Sequence, residues 1–324
     1  MRAFEIESYG EADVLQEFNL PLPEITDEEV LIEVENTGIS PYDWHVRRGE
    51  QEGKIDYPIP LILGWDISGV IRKVGSKVTD LTVGTPVIAT QQLDKNGGYA
   101  EFVAINQNTV VKKPESLSFE EGATIPINGL TVYQALIKYG EMQHGDKVLI
   151  HSGAGAVGIF GIQLAKAKGA YVATTASTHN HEFLKSIGAD VTIDYNTERF
   201  EDYVHDYDIV LDTQAGETLE RSYDVLKPGG RLISIRGQVN KKKAESKGIT
   251  AYFTWTELNR QDLIEVVNLY GYGVVKAYFE AIFPLSFVRE AHKLSENGHS
   301  RGKIVINNKS CLLYTSDAAD DMQC

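Results

Sequence analysis

Residues Lys147 to Ala170, KVLIHSGAGAVGIFGIQLAKAKGA, constrain the fold more than any other stretch. Lys147 to His151 is a short, mostly apolar run of β-favouring residues. Gly153, Gly155 and Gly158 follow at the spacing G-x-G-x-x-G, with Ala154, Ala156 and Val157 between them. Ile159, Gln163, Leu164 and Ala167 then recur at helical spacing. A strand, a glycine turn and a helix in that order predict a dinucleotide site. The first glycine permits the tight turn, the second lets backbone approach a pyrophosphate, and the third lets helix pack on strand. The free N–H groups and the positive dipole end of the helix complete the phosphate site.

The alternation continues downstream. Strands are expected at Tyr171–Thr175, Val191–Ile193, Asp208–Asp212, Arg231–Ile235 and Ile249–Phe253. Helices are expected over His181–Ser186, around Glu198–His205 and near Thr218–Leu226, the last stopped by Lys227-Pro228-Gly229-Gly230. Lys241-Lys242-Lys243 reads as a solvated loop. Repeated βα units imply a doubly wound parallel sheet. The first 125 residues differ. Short β-rich segments at Glu29–Glu35, Gly69–Val74, Pro86–Thr90 and Tyr99–Ile105 are separated by Gly, Pro, Asp and Asn, the pattern of a small irregular barrel. Phe283–Leu285 and Gly302–Ile306 bracket a helix over Ser286–Asn297, read as the chain returning to that barrel.

Composition limits the function classes. The 324 residues exceed what one core usually supports, and 42% apolar content suffices for two. The net charge of −15 argues against nucleic-acid or membrane-surface partners, which select basic patches. MRAFEIESYGEADV carries no secretory pattern, and no apolar run reaches spanning length, so a cytoplasmic enzyme is expected. Cys311 and Cys324 are the only cysteines, which excludes cysteine-ligated metal and disulfides from the main body.

Seven segments then carry a resemblance: GISPYDWHVRRG (38–49), LILGWDISGVIRKVGSKVTDLTVGTPV (61–87), GGYAEFVAI (97–105), GLTVYQAL (129–136), SGAGAVG (152–158), LDTQAGETLERSYDVLKPGG (211–230) and GKIVI (302–306). In this order they resemble the medium-chain dehydrogenase/reductases, specifically the zinc-independent quinone oxidoreductase branch. The resemblance implies an α/β protein: a GroES-like β-barrel domain over 1–125 with a return segment 275–306, and a Rossmann domain over 126–274. It also implies NADPH, a small electrophilic substrate and a possible homodimer.

Zinc-dependent relatives place a cysteine ligand just after the loop held here by Gly38–Pro41, and a histidine and a glutamate after the glycine matching Gly64. This chain has Ser40-Pro41-Tyr42-Asp43 and Gly64-Trp65-Asp66. Hard carboxylates alone do not make a tetrahedral N/S zinc site, so no metal is expected, and Asp43 and Asp66 read as caps or hydrogen-bond partners. Without zinc to acidify an alcohol, the expected reaction is hydride transfer to a quinone or α,β-unsaturated carbonyl. The resemblance assigns Tyr42, His45 and Asn128 as candidates to stabilise the developing oxyanion, and Thr131 to the nicotinamide end. Tyr42 and His45 read equally well as wall residues. An enoyl-thioester reductase and a non-catalytic NADPH-binding protein are the alternatives.

The second strand of the dinucleotide unit ends Thr175-Ala176-Ser177-Thr178, without the acid that selects NAD. Ser177 can bond a 2′-phosphate, and Tyr195 matches a tyrosine that relatives place beside it. The segment 307–324 is expected to be a non-native or disordered tail, and truncation after Asn308 to be tolerated. It shares no pattern with the family, and CLLYTSDAADD resembles translated adapter sequence.

Overall fold

The computed structural model describes residues 1–50 and 55–309, together with the backbone of 314–315. The chain forms two compact units. The first comprises Met1–Ile127, Leu258–Gly271 and the chain from Ala277 on; the second comprises Asn128–Glu257 and Tyr272–Lys276.

The first unit opens with β1 (Arg2–Ile6), β2 (Leu15–Asn19), β3 (Glu29–Ile39), helix α1 (Pro41–Arg47), β4 (Leu61–Ile62), β5 (Asp66–Val74), β6 (Pro86–Thr90), β7 (Phe102–Asn106), β8 (Val110–Lys112) and a single turn, α2 (Phe119–Gly122). The long strand β3 organises it, pairing antiparallel with β5 along most of its length and with β7 at its first half. Val30, Ile32 and Val34 of β3 alternate inward at strand spacing and meet Ile67, Ile71, Val87, Val103 and Ile105 in one apolar core. α1 starts sharply because Ser40 and Asp43 form a capping box with Pro41 at the first helical position. Helix α3 (Pro126–Tyr133) follows, continuing as a π-helical stretch over Gln134–Tyr139.

The second unit contains β9 (Lys147–Ile150), α4 (Ala156–Ala167), β10 (Tyr171–Thr175), α5 (His181–Ser186), β11 (Val191–Ile193), β12 (Tyr207–Asp212), α6 (Gly216–Ser222), β13 (Leu226–Ser234), α7 (Lys241–Ser246) and β14 (Thr250–Phe253). All six strands are parallel, in the order β11-β10-β9-β12-β13-β14. That is the doubly wound order expected of a Rossmann sheet, and its switch point lies between β9 and β12. The glycine turn sits there, at the carboxyl end of β9.

Three sequence expectations for this unit are corrected. The helix expected around Glu198–His205 is one 3₁₀ turn, Phe200–Asp202, because Phe200 and Val204 turn into the core and Asp206 reverses the chain at φ 57°. The helix expected near Thr218–Leu226 ends at Ser222, and Lys227–Gly230 forms an irregularity inside β13: Leu226 pairs with Tyr207, and pairing resumes at Arg231 with Ile209. Lys241-Lys242-Lys243 is not a loop but the first turn of α7, capped by the Asn240 side chain.

The chain then forms α8 (Arg260–Gly271), β15 (Phe279–Pro284), α9 (Val288–Glu296), β16 (Lys303–Asn307) and β17 (Tyr314–Thr315). α8 groups with the first unit, unlike the continuous 126–274 domain read from sequence. Its Arg260 explains this, donating to the Val110 carbonyl and to Asp80. α9 connects parallel β15 and β16, and β16 pairs with the end of β3. The expected tail also differs at its start. Asn307 pairs with Asn36, the buried Asn308 amide donates to the Gly98 and Ala100 carbonyls, and β17 pairs with β15. Cys311 and Cys324 lie outside the described residues.

Candidate active site

The glycine turn is built from β9 outward. Ser152 takes a left-handed backbone, φ 57°, and its carbonyl accepts the Gly155 N–H at 3.1 Å. The Gly153 N–H bonds the Thr175 carbonyl at 2.9 Å, tying the turn to the end of β10. Gly155 is the N-cap of α4 and has no side-chain capping bond. The three glycines serve different ends. A Cβ on Gly153 would lie 2.1 Å from Thr174 Oγ1, and one on Gly158 would lie 2.3 Å from the Ser152 carbonyl oxygen. A Cβ on Gly155 would meet only the Ser152 carbonyl, at 3.5 Å, an ordinary contact. The fold requires the first and third glycines but not the second. Space kept clear at Gly155, over an uncapped helix N-terminus, fits a pyrophosphate.

The loop after β12 is bonded to the glycine turn. Asp212, fully buried, accepts the Gln214 and Ala215 N–H groups and the Ser234 hydroxyl. Ala215 is held at φ 63°, ψ −164°, a region that disfavours any side chain. The Gln214 amide donates to Ser152 Oγ, and Thr213 Oγ1 donates to the His151 carbonyl at 3.0 Å. Neither loop contact was legible in the sequence, although Asp212 closing a strand before a polar turn was a signal.

At the end of β10, Ser177 is half-buried and receives a long contact, 3.4 Å, from the Asn180 amide. His179 is exposed and its Nε2 bonds the same amide, while His181 bonds the Ala176 carbonyl. Tyr195 is 56% exposed, one residue beyond Asp194. Asp194 accepts from Thr178 and from the Asn196 backbone and side chain, and the Thr178 hydroxyl chiefly holds its carboxyl below the usual range. On α3, Asn128 is buried and Thr131 Oγ1 lies 2.5 Å from Thr256 Oγ1. Gln134 clamps the backbone of Glu257 with two bonds of 2.9 Å, fixing the strand exit after β14.

Tyr42 and His45 lie on α1 of the first unit and do different things. Tyr42 Oη is 2.9 Å from Tyr57 Oη, and burial raises the pKa of both phenols. His45 instead pairs with Glu50 and stacks on Trp44 at 3.8 Å. Sequence reasoning did not find Tyr57. Asp43 is fully buried and accepts the Ser40 N–H at 2.5 Å and the Gly64 N–H at 3.3 Å. It thereby links the two loops that hold ligands in zinc-dependent relatives. Asp66 accepts the Ile127 N–H and pairs with the buried Lys303 ammonium at 2.5 Å. Both carboxylates are thus hydrogen-bond partners, and among the described residues no group of three or more His, Cys, Asp or Glu is placed to hold a metal.

Buried titratable groups give the two units different acid responses. His151 in the second unit and His292 in the first are pushed down to about 3 by burial, whereas burial pushes Asp43 up to about 7. A buried neutral histidine contributes stability above its unfolded value near 6.5 and loses it as pH falls toward the folded value. A raised aspartate contributes stability below its unfolded value near 4 and loses it as pH rises through about 7. Near pH 5, His292 and Asp43 oppose each other in the first unit, whereas His151 acts in the same direction as the lowered carboxyls of Asp194, Glu198 and Glu201 in the second. The contribution of His151 to the stability of the second unit should fall by about 1.4 kcal/mol per pH unit as pH drops from about 6 to about 4.5, read as the difference in slope between the parent and His151→Gln. Hydrogen exchange resolved by unit checks this. An equal slope in His151→Gln would contradict it.

Two family models match the chain: an alcohol dehydrogenase GroES-like domain over residues 26–115 and a zinc-binding dehydrogenase over 187–306. A 2-methylene-furan-3-one reductase of Solanum lycopersicum is 35% identical, over 95% of this chain and 79% of its own. A chloroplastic NADPH-dependent alkenal/one oxidoreductase of Arabidopsis thaliana is 34% identical, over 94% of this chain and 79% of its own. The structure of a quinone oxidoreductase from Coxiella burnetii superposes with a TM-score of 0.88 at 34% identity, covering 95% of this chain and 99% of that one. The chain belongs to the medium-chain dehydrogenase/reductases of the quinone oxidoreductase type. Among its described residues, no helix is long and apolar enough to cross a membrane.

Proposed function

We propose that this protein is an NADPH-dependent oxidoreductase that reduces quinones or α,β-unsaturated carbonyls without a metal. The observation that carries the reading is Gly155, a glycine the fold does not need, standing open over the N-terminus of α4. The alkenal/one and furanone reductases at 34% and 35% identity support the acceptor class. Bound NADPH supplies the hydride from its reduced nicotinamide.

This chain's residues bind, orient and stabilise. Gly153, Ala154, Gly155, Ala156, Val157 and Gly158 receive the pyrophosphate, and Ser177 and Tyr195 flank the 2′-phosphate. Thr131 orients the nicotinamide end from α3. Tyr42 donates to the oxygen that gains charge in the acceptor. An ordinary phenol is protonated at neutral pH and so able to donate, and Tyr57 fixes its hydroxyl. His45 and Asn128 are the further candidates for that role. With neither thiolate nor imidazole in Ser40-Pro41-Tyr42-Asp43 or Gly64-Trp65-Asp66, the acceptor must already be electrophilic. As part of the same reading the enzyme acts in the cytoplasm as a homodimer, the latter tested by its mass in solution.

An acceptor panel of quinones, enones, enoyl thioesters and alcohols, run with NADPH and NADH, tests the proposal. Turnover should appear with quinones or free enones, and kcat/KM should favour NADPH about tenfold, the worth of roughly one charge-assisted contact. The preference is modest because Ser177 has no arginine or lysine partner among its described contacts. Activity should survive chelation, with zinc far below one per chain. Equal use of NADH, or zinc-dependent alcohol oxidation, would refute the reading.

A further inference from the structure

Beneath the glycine turn lies a buried imidazole that the proposed chemistry does not use. His151 is fully buried at the end of β9, edge-on to Phe200 at 4.8 Å. Its hydrogen bonds have only one consistent direction. Ser222 Oγ donates to the Thr218 carbonyl at 2.7 Å, which uses its single hydrogen, so it accepts from His151 Nε2–H at 3.0 Å. Nδ1 of the neutral ring is then an acceptor, and Thr175 Oγ1 donates to it at 3.1 Å. The same Thr175 oxygen accepts the Ser152 N–H at 3.2 Å.

We infer that His151 is a positioning residue for the dinucleotide turn, acting through Thr175 on Ser152. The inference rests on the NADPH reading above. Ser152 is where the effect reaches the cofactor. Its amide is held by Thr175, its backbone is kept left-handed, and its carbonyl holds the Gly155 N–H and packs under Gly158. A threonine hydroxyl free to rotate could turn its hydrogen toward other acceptors. The imidazole acceptor commits that hydrogen and leaves a lone pair aimed at the Ser152 amide. Burying an imidazole is unfavourable where an apolar side chain would fill the same space, so its presence calls for a role in geometry.

The test uses the full chain with Thr175→Val, Thr175→Ser, His151→Phe and the Val/Phe double variant. NADPH affinity is measured by direct titration, alongside thermal midpoints and steady-state kinetics. Thr175→Val and His151→Phe should each raise the NADPH Kd about tenfold, with Thr175→Ser restoring it. The change should fall mainly on KM for NADPH rather than on kcat. The double variant should bind about as weakly as either single one, because both act through one relay. Should His151→Phe fail to fold, Thr175→Val, which exchanges one hydroxyl for a methyl, still decides. Variants that melt earlier yet bind NADPH like the parent, or that weaken binding additively, would overturn the inference. A parent chain that does not bind NADPH would instead overturn the cofactor reading itself, together with this inference.

Discussion

Gly155→Val is expected to raise the NADPH dissociation constant more than about a hundredfold while leaving the chain folded, and Gly158→Val is expected to do the reverse in order of cause. At Gly155 the backbone, φ −72° and ψ 164°, is open to any residue, and a Cβ meets only one carbonyl oxygen at 3.5 Å. A valine there occupies the space that a pyrophosphate needs against the N-terminus of α4, so the bulk of the cofactor's anchoring is removed without disturbing the core. At Gly158 a Cβ would lie 2.3 Å from the Ser152 carbonyl oxygen and 2.6 Å from Gly153 Cα, both backbone atoms that cannot swing aside. Valine at that site must push α4 off the turn, and overpacking of this kind destabilises by about 1–3 kcal/mol or more. Calorimetric titration and thermal melts on the two variants separate the cases. A Gly155→Val chain that binds NADPH within about threefold of the parent would remove the argument that this glycine is kept for a ligand.

The dinucleotide unit was legible because its signals are local. A strand, three glycines and a helix follow one another within 24 residues, and Tyr171–Thr175, His181–Ser186 and Val191–Ile193 were read with their observed bounds. Lys227–Gly230 misled because proline and paired glycine punctuate chains in more than one way. They ended no helix here; they let β13 carry an irregularity opposite β12. α7 and α8 were missed as well. Three lysines give α7 little helical pattern, and its cap from Asn240 comes from geometry rather than composition; α8 did carry a signal, because Leu263, Val266, Val267 and Tyr270 recur at helical spacing and form its buried face.

The site divides in the same way. Gly153 to Gly158 are a spacing motif and could be read directly. Tyr57, Thr175, Gln214 and Thr256 gain their places only when loops from distant strands meet, as when Gln214 reaches Ser152 across 62 positions. Asp43 and Asp66 are instructive. Their chemistry alone argued against a soft-metal role, but which donors they satisfy became definite only with the fold. Asp43 joins the Ser40 and Gly64 amides, so a carboxylate cross-links loops that a metal joins in zinc-dependent relatives.

Lys303→Met is expected to destabilise the first unit by about 3–5 kcal/mol, the second of the two largest effects. Lys303 and Asp66 are 3% and 1% exposed, so neither charge has water to fall back on. Methionine matches the stem of lysine and fills the same space, so the loss is electrostatic: it takes the ammonium from a buried carboxylate and leaves it the neutral Ile127 amide. Asp43 feels the change as well, because Lys303 lowers its pKa and Asp66 raises it; without the ammonium its carboxyl should titrate still higher. Adding Asp66→Asn removes the stranded charge and keeps an oxygen for the Ile127 amide, so Asp66→Asn/Lys303→Met should recover most of the lost stability. That rescue distinguishes an unpaired charge from damaged packing, since a packing defect introduced by the methionine would persist in the double variant. Asp66→Asn alone should remain destabilised, because it strands the ammonium instead. Chemical denaturation of the four chains, followed by hydrogen exchange in the first unit, gives the cycle. A double variant no more stable than Lys303→Met would show that the ion pair is not what holds β16 to the start of α3.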